Sequence, residues 1–94
     1  MNIFKIEKVK RNHYNIAMYE EEHRYSFVVS IARYLNIKAN QLNKAVKIYN
    51  GLYMKWLPNC SEEYNRIYFR NKNDAERFVT DYLQPLQIIN LIDK

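Results

Sequence analysis

Few residues in this chain of 94 have the types and spacing that catalysis needs. The imidazole and thiol groups are His13, His23 and Cys60, and none has a spacing that pairs metal ligands. The acidic run Glu20-Glu21-Glu22 suits a helix start, whose dipole favours carboxylates, better than a magnesium site. Asp74, Glu76 and Asp81 fall on a C-terminal helix as solvated residues. A single glycine leaves no Gly-rich phosphate cradle, and no Ser-His-Asp order carries a hydrolase signature. The expectation is a protein that is not an enzyme and uses no metal or cofactor. A different chemistry lies between Lys38 and Lys47. Asn40, Gln41, Asn43, Lys44 and Lys47 share the outward arc of a helical segment, with Lys38 just before it. Amide side chains bond two edge atoms of adenine at once, and lysine serves guanine edges and phosphates.

The charge is distributed to match. Lys and Arg total 15 against 10 Asp and Glu, a formal +5 with pI near 9.4. No acid occurs from His23 to Ser61, while Arg24, Arg33, Lys38, Lys44, Lys47 and Lys55 all do. Positive charge gathered in one stretch is what phosphate neutralisation requires. The 48% apolar content excludes a disordered tail, and one cysteine excludes a disulfide scaffold. The start, MNIFKIEKVKR, lacks the pattern of a secretion signal, and no apolar run approaches the roughly 20 residues that span a bilayer. A cytoplasmic protein without membrane contact is expected. Asn, Lys, Ile and Tyr are abundant, as AT-rich coding in some phages, firmicutes and organelles produces.

The elements that must position these residues read as one α+β domain over 1–94, ordered β-β-α-α-β-β-α. Alternation in Ile3–Val9 and in Tyr14, Ile16 and Met18 predicts a hairpin over 1–19. Glu20-Glu21-Glu22 then opens a helix that runs to Leu35, with Val28, Ile31, Ala32 and Leu35 inward. A second helix spans Ala39 to Tyr49 and stops at Asn50-Gly51, residue types that tolerate left-handed backbone. Period two returns in a hairpin over 52–69, with Pro58 to Glu63 as its loop. A helix over 73–84 opens at Asn73 as cap, with Glu76 completing a box, and ends at Pro85. The apolar segment 86–92 (Leu86 to Ile92) then needs cover. Either Phe4, Ile6 and Ile16 of the hairpin supply it, or a second copy does, giving a homodimer.

The stretch VVSIARYLNIKANQLNKAVK, Val28 to Lys47, resembles the helix-turn-helix of DNA-binding proteins across that motif's 20-residue span. Ala32 stands where that family keeps a small residue at the helix crossing. Asn36 stands where the turn prefers Gly, Ile37 would plug the turn, and Leu42 and Ala45 would seat the second helix. The strand pair after Gly51 resembles the wing of winged variants, which would bring Lys55, Arg66, Arg70 and Lys72 to phosphates. The alternative is an ordinary hairpin closing the core, and Glu62-Glu63 at the tip suits it better. Of Tyr49, Tyr53, Trp56, Tyr64, Tyr68 and Phe69, most are core fillers. Tyr53, on the strand face of Lys55, is the expected exception that could stack on a base.

The resemblance implies a duplex-DNA-binding regulator or accessory factor of a phage or mobile element. Its site residues would be Lys38, Asn40, Gln41, Asn43, Lys44, Lys47, Lys55, Arg66 and Arg70. The rival is a non-catalytic inhibitor that docks on a host enzyme or defence complex by protein contact. Membership of a larger ribonucleoprotein is a third reading.

Overall fold

The computed structural model describes residues 3–92, with side chains described through residue 89. Strands β1 (Phe4–Lys10) and β2 (His13–Glu20) form the expected hairpin, with Asn12 at φ 60° in its turn. A short β3 (His23–Tyr25) follows, then helices α1 (Val28–Leu35) and α2 (Ala39–Ile48). Next come β4 (Leu52–Lys55), a 3₁₀ turn over Glu62–Tyr64 and β5 (Asn65–Phe69). The described residues close with a continuous helical stretch made of α3 (Lys72–Phe78), a π turn (Val79–Leu83) and α4 (Gln84–Ile92). This is a single antiparallel sheet, ordered β1-β2-β5-β4 with β3 beside β2, and packed helices: an α+β domain.

Register explains which face is buried. Phe4 pairs with Met18 and Ile6 with Ile16, while Tyr14 pairs with Phe69 and Tyr53 with Ile67. These residues share one face of the sheet, and the helices cover it. Val28, Ile31 and Leu35 of α1, Leu42 and Val46 of α2, and Ala75 and Phe78 of α3 all join the buried cluster with Phe4, Ile16 and Phe69. Each large side chain so buried contributes about 1.5–3 kcal/mol relative to exposure. Among the described residues no helix is long and apolar enough to cross a membrane.

The acidic triplet corrects one expectation. Glu20 ends β2, Glu21 takes a left-handed turn at φ 57°, and β3 returns against Met18–Glu20. The physical reason is backbone hydrogen bonding. On that side of β2, β5 pairs only with Tyr14 and Asn15, so the groups beyond need a partner, which β3 supplies. Helix α1 starts later, at Val28, with no acid in its first turn.

The connection between α1 and α2 is three residues, and Asn36 holds the left-handed conformation at φ 57°, ψ 42°. Ile37 then donates its N–H to the Ala32 carbonyl at 3.0 Å and packs half-buried against the core. A left-handed α conformation costs an ordinary L-residue about 1–2 kcal/mol. Asn36→Gly is therefore expected to match or slightly exceed the wild-type melting temperature. Asn36→Val should lower stability by about 1–2 kcal/mol, and equal melting of the two variants in a thermal scan would refute this account of the turn.

The C-terminal helix departs from the sequence reading at both ends. Its cap is Asn71, whose Oδ1 accepts the Asn73 N–H at 2.8 Å, and Glu76 pairs with Lys72 at 3.8 Å instead of closing a box. Pro85 does not end it. Proline removes an N–H and crowds the carbonyl four residues back, which breaks a regular α-helix. Here the widened π turn immediately precedes it, with Gln84 donating to the Val79 carbonyl, and the helix continues through residue 92. Strands β1 and β2 contact α3, and α4 contacts α1, so α1 supplies part of the cover of 86–92. Leu86 packs half-buried and Gln87 is buried, while Ile88 and Ile89 remain more than half exposed. The side chains of 90–92 lie outside the described residues.

Candidate nucleic-acid interface

Helix α2 is amphipathic because Leu42, Ala45 and Val46 turn inward at helical spacing. Its opposite arc presents Asn40, Gln41, Lys44 and Lys47, all exposed, with Lys38 exposed at its start. Gln41 also has a structural duty, since its Oε1 accepts the Lys38 backbone N–H at 2.9 Å. Its amide N–H₂ group is left as donor. Asn43 does not join this arc. It is half-buried with a buried Oδ1, and its backbone carbonyl accepts the Tyr53 hydroxyl at 3.0 Å. Ile48, by contrast, is 76% exposed at four residues from Lys44, on the same arc. The sequence reading passed over it. Its signal was available as an apolar residue at the i+4 position of a polar stripe, where a thymine methyl offers apolar contact.

The other expected contacts scatter. Lys55 is exposed at the end of β4, and Arg70 is exposed between β5 and α3. Arg66 lies across the sheet from α2, its guanidinium 5.4 Å over the Phe27 ring. β5 is an interior strand between β2 and β4, so the 52–69 pair closes the core and is not a projecting wing. Lys72 is engaged with Glu76.

A groove of about 520 Å³ runs beside the α1–α2 connection, lined in part by Arg33, Asn36, Lys38 and Glu63. Glu63 brings a carboxylate to the edge of an otherwise basic surface. Glu62 belongs to the same 3₁₀ turn, which contacts α1, and its charge, after burial, is the second cause raising the Tyr53 hydroxyl well above the usual tyrosine range. Tyr53 is thus not the stacking residue expected of it. It is half-buried and ties β4 to the α2 backbone.

His13, Cys60 and Glu7 have structural partners. His13 is buried, its Nε2 2.9 Å from Asn15 Oδ1 and its ring stacked on Tyr68 at 4.2 Å. Cys60 Sγ donates to the Leu57 carbonyl at 3.0 Å. Glu7 accepts from Arg24 and Tyr19, and the Arg24 contact comes first in lowering its pKa. No three His, Cys, Asp or Glu residues among those described gather to hold a metal ion.

Fold and site together define a small α+β domain presenting a basic, amide-bearing helix from a tight helix pair. Comparison of the chain with protein-family models, curated proteins and solved structures finds no match.

Proposed function

We propose that this protein binds duplex DNA in a cytosolic setting, with α1 positioning and α2 entering the major groove, as a regulator or accessory factor of a phage or mobile element. The observation that carries this reading is the exposed arc of α2. Asn40, Gln41, Lys44, Lys47 and Ile48 form a contiguous surface without a carboxylate, offered by a helix pair whose connection holds a left-handed Asn36. Amides and lysines there supply base-edge and phosphate contacts, and Ile48 supplies an apolar one. An electrophoretic shift assay with random duplex, single-stranded DNA and RNA at two salt concentrations tests it. Binding by duplex that weakens steeply with salt is the expected result, and no duplex shift at low salt would refute it.

A homodimer would place two such helices on successive major grooves, about 34 Å apart. Ile88 and Ile89, exposed on α4, are the side chains such a contact would cover. Sedimentation equilibrium should show a dimer that Ile88→Glu with Ile89→Glu converts to a folded monomer. A wild-type monomer across the micromolar range would remove the dimer from this reading.

A further inference from the structure

The sheet face turned away from the helices carries a second concentration of side chains that the α2 surface does not use. At its end Phe27 bridges Arg66 of β5, and beside Phe27 stand Trp56 and Tyr64, 51% and 44% exposed. Each meets the Phe27 ring edge-on, with centroids at 5.5 and 5.6 Å. Arg66 lies over the same Phe27 ring, and its Nε is buried without a hydrogen-bond partner. Two residues further along β5, about 7 Å at strand rise, Tyr68 stacks on His13.

Charge selects among occupants. By register this face holds Lys5, Arg24 and Arg66 against one acid, Glu7, and Glu7 is engaged by Arg24 and Tyr19. Of the nearby acids in the 3₁₀ turn, Glu63 lines the α1–α2 groove on the helix side. Arg66 makes no ion pair among the described residues, so the cluster keeps an uncompensated cation. Trp, Tyr and Arg also make hot spots in protein interfaces, but a net positive face with stacking surfaces fits a polyanion with unpaired bases.

We propose that this face binds single-stranded nucleic acid, with Trp56 and Tyr64 stacking on bases and Arg66 holding the backbone or a base plane between them and Tyr68. The site is separate from α2 and stands whether or not α2 reads a duplex.

Trp56 is the only tryptophan, so its fluorescence reports this site directly. The full chain is titrated with a thymidine DNA 12-mer, a uridine RNA 12-mer and a 12-base-pair duplex. Either single strand should quench Trp56 to saturation, the stronger of the two identifying the natural class, while the duplex should leave it largely unchanged. Tyr64→Ala and Arg66→Gln should each weaken single-strand binding, roughly 5- to 100-fold for the lost stacking partner. Lys44→Gln with Lys47→Gln should preserve the quench amplitude, which separates this face from α2. Absence of quenching by both single strands in the folded protein would overturn the proposal and leave the cluster to a protein partner. Quenching that neither Tyr64→Ala nor Arg66→Gln weakens, in variants folded by circular dichroism, would overturn it equally.

Discussion

The double variant Lys44→Glu, Lys47→Glu is expected to lose duplex binding while keeping the wild-type fold. Both residues are exposed on α2, and neither makes an ion pair among the described residues. Substitutions at such positions usually move stability by no more than about 0.5 kcal/mol. Binding responds far more, because the change both removes two cations and sets two carboxylates against phosphate. The milder pair Lys44→Gln, Lys47→Gln should weaken binding and flatten the dependence of log K on log salt by about 2, one per phosphate contact. Unchanged duplex affinity in a folded Glu double variant would show that α2 does not face DNA.

Gly51→Ala is the substitution expected to damage the fold most for its size. The residue is buried between α2 and β4, and its φ is not positive, so backbone strain is not the issue. Space is. A Cβ there would stand 2.4 Å from Val46 Cγ1 and 2.9 Å from the Phe69 ring. Neither neighbour can yield easily, since both are fully buried and Phe69 already packs on Phe78 at 5.4 Å between ring centroids. Overpacking of this kind costs about 1–3 kcal/mol. In a domain of this size each kcal/mol lowers the melting temperature by about 4–8 °C. Asn50→Gly next door should be neutral or slightly stabilising, because Asn50 is the left-handed residue of the pair at φ 66°. An Ala variant that melts with the wild type would refute the close-packing account.

Those two neighbours show where sequence reasoning reaches and where it stops. Asn50-Gly51 reads as a helix terminator from residue type alone, and the helix does end there. Which of the two turns left-handed, and why the other must lack a side chain, depends on Phe69, which is distant in sequence. The helix pair was legible for a similar reason: Ile31, Leu35, Leu42 and Val46 recur at helical spacing, and Asn36 is a residue type suited to the turn. Tyr53 and Trp56 were not separable that way. Strand alternation groups Tyr53 with Lys55, but only the fold brings the Asn43 carbonyl to its hydroxyl and leaves Trp56 outside. The acidic triplet misled because local charge suits a helix start, whereas unpaired backbone on β2 decided the outcome.

The π turn before Pro85 also sets the phase of the last helix. Ala75, Val79, Leu83 and Gln87 are all buried, at a strict spacing of four. In a regular α-helix each such step advances the side chain by about 40°, so three steps would carry Gln87 about 120° off the buried face. A π turn holds more residues per turn and absorbs that drift. It therefore keeps Leu86 and Gln87 inward and leaves Ile88 and Ile89 facing out. Were the same residues of Val79–Leu83 wound as regular α-helix, everything after them would be rotated by about 100°. The five-residue turn thus decides which side of α4 the rest of the molecule, or a second copy of it, can meet.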